Sequence, residues 1–332
     1  LLKKISELQG HIKTGLYIMA TPVFNNVKPI IHMKRVLVFS LCLLLGFTAR
    51  SQQLHFMSQY LQHNPMYNPA ASGMGQNNMV GMAYRNMWSS FPGNPQTTMV
   101  YGDFELKKMN SGMSAYLYRD QTGPTSRNGV QFGYSYHIKS ANGKSRLGIG
   151  LELRGLQYAI DKAKLTDALG TLDPVLGGAE NKFAFDAGFG LYWTNGKLSV
   201  GAAASQLMQS KLQLADVPNI QQGGKLYRHY NVNANYRLQT GDDIYVIPFA
   251  MVRLVQNAPS EYDFGTKVDY QDKVWWVLDW RVNQFWSLQT GVNLFKKVKL
   301  SYSYDYYVSP IGIFVAGSGA HELGLQFDLK KK

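Results

Sequence analysis

The sequence predicts an all-β membrane protein, a transmembrane antiparallel up-and-down β-barrel of about fourteen strands. Three observations lead there. Apolar residues alternate with small or polar ones in segment after segment, while helical spacing is nearly absent. The chain holds 13% aromatic residues, 32 glycines and 21 tyrosines but only 17% charged residues, which excludes a disordered chain. Its mean hydropathy of −0.21 is too low for a bundle of apolar helices, each of which needs about twenty apolar residues.

The alternation is clearest at 182–193, where Phe183, Phe185, Ala187, Phe189, Leu191 and Trp193 oppose Ala184, Asp186, Gly188, Gly190 and Tyr192. Strands are expected at 79–88, 97–106, 111–119, 128–139, 145–157, 182–193, 197–205, 227–239, 243–255, 260–270, 274–282, 285–294, 297–306 and 321–329. Segments of about ten residues tilted at about 45° cross a bilayer, whereas strands of soluble sandwiches average about five or six. Trp88, Tyr101, Trp193, Trp275, Trp276, Trp286, Tyr306 and Tyr307 fall near strand ends, where interfacial girdles are expected. Pro248 makes 243–255 the weakest segment.

The connections support the count. Alternate ones are tight, as at 107–110, 194–196 and 240–242, and belong on the periplasmic side; the intervening ones include the long loops 158–181, 206–226 and 307–320, expected outside. Segments 89–96 and 120–127 are intermediate in length.

Near the N-terminus, Met33-Lys34-Arg35 precedes an apolar run from Val36 to Phe47, and Ala49-Arg50-Ser51 follows. This pattern reads as a secretory signal peptide cleaved between Ser51 and Gln52. The expected organisation is an upstream segment 1–32 lying before the true start, a signal peptide 33–51, an N-terminal periplasmic or lumenal strap 52–78, a barrel 79–329 and a basic tail 330–332. Cys42, the only cysteine, lies in the signal core, so the mature chain has no thiol for disulfides or metal binding. Of 34 basic and 21 acidic residues, seven and one lie in 1–51, which leaves the mature chain at net +7. That charge is dispersed along the sequence and gives no nucleic-acid footprint.

No catalytic site, metal site or cofactor is expected. His55, His63, His137, His229 and His321 are scattered singly, without metal-ligand spacing or a nucleophile partner. Glu152, Arg154, Asp186, Arg237, Asp263, Lys267, Asp279, Arg281, Asp305 and Glu322 fall on the lumenal face with mixed signs, as pairs bracing the wall would. Asn64, Pro65, Tyr67, Asn68, Pro69 and Gly73 form a turn-rich stretch with two readings: a strap folded into the lumen, or a periplasmic docking element. Leu165, Leu169, Leu172, Leu212 and Leu214 make the long loops unusually apolar, so these loops either cap the barrel or contact a partner.

Several of these segments carry a family resemblance. Phe56-Met57-Ser58-Gln59-Tyr60, the stretch from Asn64 to Gly73, Phe185 to Trp193 with Lys197 to Gly201, Tyr302-Ser303-Tyr304-Asp305-Tyr306 and His321-Glu322 resemble motifs of the PorP/SprF family of Bacteroidota. The resemblance spans 52–329; the chain departs at Gln52-Gln53-Leu54-His55, at Ala320 and in its Lys330-Lys331-Lys332 tail. It implies an integral outer-membrane component of type IX secretion, the route that also serves gliding. The partners it implies, besides the lipid bilayer, are other secretion components and a secreted adhesin. The residues alone also allow another function, a diffusion channel or small-hydrophobe transporter with an N-terminal plug.

Overall fold

The computed structural model describes residues 57–75, 77–161, 164, 181–211, 225–256, 258–295, 297–308, 312 and 318–329. The signal-cleavage residues Ser51 and Gln52, the loop leucines Leu165, Leu169, Leu172, Leu212 and Leu214, and the basic tail lie outside them.

The wall is built from β1 (Asn78–Met87), β2 (Gln96–Leu106), β3 (Ser111–Thr122), β4 (Thr125–Lys139), β5 (Arg146–Ile160), β6 (Asn181–Thr194), β7 (Leu198–Ser205), β8 (His229–Tyr236), β9 (Leu238–Gln239), β10 (Ile244–Val255), β11 (Glu261–Tyr270), β12 (Val274–Arg281), β13 (Phe285–Leu294), β14 (Val298–Tyr307) and β15 (Ala320–Leu329). Each pairs antiparallel with its neighbours, and β15 pairs with β1 from Asn78↔Leu329 to Met87↔Ala320, so the sheet closes on itself and leaves no edge.

Strands β8 and β9 are one stave of the barrel. Both pair with β10 in a single register, Phe249↔Asn235 and Val246↔Leu238, and the ladder lapses only opposite Ile247 and Pro248. Proline has no N–H to donate, which accounts for the lapse. On its other side Pro248 pairs normally with Thr266 of β11. Counting β8 and β9 together gives a fourteen-stranded barrel, and the segment weakened by Pro248 is a full member of it.

Alternation sets the faces. Phe183, Phe185, Phe189 and Leu191 stand exposed on the outer wall, while Ala184, Asp186 and Gly190 between them are buried. The expected girdle is corrected by the same parity. Trp193, Trp276, Trp286 and Tyr306 face outward, but Tyr101, Trp275 and Tyr307 are buried inside. Consecutive residues of a strand point to opposite faces, so Trp275-Trp276 and Tyr306-Tyr307 each divide between lipid and lumen. One connection is also corrected: β3 and β4 pair as far as Thr122↔Thr125, leaving a tight Gly123-Pro124 turn instead of a loop over 120–127.

Candidate functional site

The lumen is occupied by the chain's own N-terminal segment. Between Met57 and Met74 the chain forms a short helix, α1 (Asn64–Tyr67), and a single 3-10 turn (Pro69–Ala71), and nearly all of its residues are buried. Local chemistry shapes it. Pro65 and Pro69 each stand in the first turn of their element, where a missing N–H costs nothing. Asn68 caps the second element by accepting from Ala70 N at 3.0 Å. The Tyr67 hydroxyl accepts from Met57 N at 3.1 Å and closes the strap into a loop.

The wall holds this strap through side chains that point inward from many staves. Gln131 Nε2 donates to Met66 O at 3.0 Å, Ser135 Oγ to Ala70 O at 2.9 Å and Asn231 Nδ2 to Tyr67 O at 3.2 Å. His137 Nε2 lies 2.9 Å from Ser72 O. In return, Asn68 Nδ2 donates to Leu191 O at 3.0 Å and Gly73 N donates to Asp103 Oδ1 at 2.6 Å. These bonds satisfy strap carbonyls and amides that would otherwise be stranded away from water.

Close approach requires glycine on the wall. A Cβ at Gly112 would overlap Ser72 O, and one at Gly150 would overlap Ala70 N, so the backbone of the strap lies directly on the backbone of β3 and β5. The apolar half of the strap packs elsewhere: Tyr60 sets its ring edge against Phe249 at 5.6 Å, within a cluster that includes Met57, Tyr67, Met251, Trp275 and Val277. His63 turns its edge to Tyr101 at 4.6 Å, and burial lowers its pKa to about 3, so the ring is neutral.

Motifs far apart in sequence meet at one end of the strap. Arg85 Nη2 donates to Asp305 Oδ2 at 2.6 Å, and Arg85 Nη1 donates to Ser58 Oγ at 2.6 Å. Ser58 Oγ also donates to Asp305 Oδ2 at 2.6 Å. Glu322 accepts from Ser58 N at 2.7 Å and from Gln59 N at 3.3 Å. Gln289 Nε2 donates to Ser58 O at 3.0 Å. The N-terminal motif and the inward half of the C-terminal motif are thus one site, with Arg85 the cation between two carboxylates.

The other C-terminal motif residues are not part of it. Tyr302, Tyr304 and His321 point out of the barrel, and the Tyr302 hydroxyl lies 2.8 Å from His321 Nδ1. Sequence reasoning treated His321-Glu322 as a unit, but neighbouring strand positions face opposite sides. It also missed Arg85, Gln131, Ser135 and Gln289. The available signal was Gly112 and Gly150 at inward positions, since glycine within a strand marks close backbone approach.

Other interior charges pair as braces, while both carboxylate oxygens of buried Asp279 lack a hydrogen-bond partner. Arg253 and Arg281 both hold Asp263, at 2.6 and 2.7 Å, and Arg154 holds Glu152 at 3.0 Å. Among the described residues no group of three His, Cys, Asp or Glu is placed to hold a metal ion.

No curated protein matches the sequence. Solved barrels are similar in structure at low identity. They include the toluene transporter TbuX of Ralstonia pickettii (TM-score 0.48, 11% identity, 80% of this chain and 93% of that one) and the monoaromatic hydrocarbon channel CymD (0.47, 12%, 80% and 91%). The Acinetobacter baumannii outer membrane protein Omp33 gives 0.42 at 10% identity over 78% and 100%. The family model described as type IX secretion system membrane protein PorP/SprF matches residues 49–327. With that span matched across strap and barrel alike, the chain belongs to the PorP/SprF family of type IX secretion membrane proteins.

Proposed function

We propose that the protein is a plugged scaffold of type IX secretion in the outer membrane, non-enzymatic, that serves the export and surface retention of a secreted adhesin. The observation carrying this reading is the strap from Met57 to Met74, which lies buried in the lumen with backbone carbonyls such as those of Met66 and Ala70 bonded to the wall. A diffusion path needs water-filled space lined by free polar groups, whereas Arg85, Arg154 and Arg281 of this interior are each held in an ion pair. Family membership supports the secretion role, and the long connections on one rim supply surface for cargo.

Planar-bilayer recording tests the plugged state. The full mature chain is expected to show no stepwise conductance, and a chain lacking 52–77 is expected to show steps. Steps from the intact chain would replace the scaffold with the channel reading. The secretion role is tested in cells by removing the protein and following one adhesin, which should be lost from the surface; its normal display would overturn that role.

A further inference from the structure

The outer wall carries a hollow of about 540 Å³ at the seam where β13, β14 and β15 meet β1. The strand register explains its shape. Met82, Leu325 and Leu300 align across three staves as one outward row, and Tyr84, Leu323 and Tyr302 align as the next. Between them run Ala83, Gly324, Ser301 and Gly291, aligned by the same register. These four are small and belong to the inward-facing parity, so they leave only backbone on the outer side. The hollow is therefore apolar and opens toward whatever surrounds the barrel.

Its edge toward the long connections is polar. The next outward row aligns Asn86, His321 and Tyr304. The Tyr302 hydroxyl lies 2.8 Å from His321 Nδ1; where the hydroxyl is the donor, the imidazole proton sits on Nε2 and that nitrogen is left to donate. A bare lipid wall would carry apolar or aromatic side chains in this row. An apolar hollow capped by hydrogen-bonding groups matches an amphiphile lying along the strands, with its chain below and its head group toward the loops.

We propose that this hollow binds one acyl chain of a lipid A molecule of the outer leaflet, with a phosphate of its head group taken by His321 Nε2 and the Asn86 side chain. The occupant follows from continuity with the bilayer-facing wall and from orientation, since the polar row lies on the rim of the long connections, which is the cell exterior. The proposal rests on the outer-membrane reading above, and it is independent of which cargo is secreted.

Native mass spectrometry of the mature barrel with added lipid A or lipid A stripped of its phosphates tests it. The expected result is one lipid A retained per barrel, with affinity roughly tenfold above that of the dephosphorylated form, the increment of a hydrogen bond to a charged group. Leu323→Trp fills the hollow and should abolish retention of both lipids. Tyr302→Phe and His321→Ala keep the hollow and should bring lipid A down to the level of its dephosphorylated form. Should Leu323→Trp fail to assemble, the Tyr302→Phe comparison carries the test. Equal affinity for the two lipids, lipid A binding unchanged in Tyr302→Phe, or pairing of two barrels through this face would each overturn the proposal. Protease treatment of intact cells checks the orientation separately: cleavage in 206–228 is expected, and its absence in an assembled barrel would reject the outer-leaflet assignment while leaving the measured lipid affinities as they stand.

Discussion

Arg85 of β1 reaches past β15 to Asp305 of β14, meeting it at 2.6 Å inside the barrel with both side chains buried. Glu322, on the strand between them, lies 3.4 Å from the same guanidinium. Removing one partner of a buried ion pair leaves the other charge uncompensated, which costs about 3–5 kcal/mol. Arg85→Met is therefore expected to lower barrel stability by about that amount, measured by urea unfolding in detergent micelles. Replacing Arg85, Asp305 and Glu322 together by apolar residues should cost much less in the same assay, because no charge is then stranded.

Seating of the strap depends on bare backbone at Gly112 and Gly150. A methyl group at either position meets strap backbone that the surrounding wall prevents from retreating. Gly150→Ala is expected to unseat the strap, exposing 57–75 to limited proteolysis while the barrel still migrates as a heat-modifiable species on gels. Gly241→Ala, whose Cβ would meet nothing nearer than 3.7 Å, should leave proteolysis unchanged.

Phe189 stands on the outer wall and Gly188, next to it, faces inward against Glu152. A lipid-facing arginine near mid-membrane costs about 2–4 kcal/mol, so Phe189→Arg should reduce assembly. In Gly188→Arg the guanidinium enters the lumen beside a carboxylate, and the loss should be smaller. Equal losses would place the register one residue away from that described.

The wall was legible because its signal is periodic. Each lipid-facing row repeats every second residue, and the fourteen segments read from alternation agree with the observed staves to within about three residues. The strap was legible as a motif, since prolines and asparagines announce turns, but its seat was not. Ser58, Arg85 and Gln289 lie on three separate parts of the chain, and only barrel closure brings them together. The same limit applies to Trp275 and Tyr307: composition marks them as girdle residues, but lumen or lipid is decided by parity against their neighbours Trp276 and Tyr306.

Acid should loosen the strap through His63. Burial lowers its pKa from 6.5 to about 3, so the folded state binds its proton less readily than the unfolded chain. The resulting stabilisation is fully present above pH 6.5 and is lost as pH falls from there through about 3. Strap proteolysis is therefore expected to rise over that interval. His63→Phe, which keeps a ring against Tyr101, should show a smaller rise. Identical curves for the two proteins would assign the acid response to other groups.

The two rims of the barrel offer rival surfaces for the secretion machinery or its cargo. On the tight-turn rim, Lys107, Lys108, Lys144, Lys197, Lys273 and Lys297 are exposed, and the turn tips add Met109 and Phe295, 60% and 90% exposed. Basic side chains around exposed apolar tips suit an acidic periplasmic partner or lipid phosphates. The opposite rim carries the long connections, whose leucines are apolar beyond what solvated loops need. If cargo is held outside, deleting 163–178 should leave a heat-modifiable barrel in the membrane yet abolish surface retention of an adhesin, while Lys→Glu changes at 107, 108 and 144 leave retention intact. Surface proteolysis and adhesin immunoblots of washed cells read both arms. Loss of secretion from the charge reversals, with normal retention in the loop deletion, would move the docking face to the periplasmic rim.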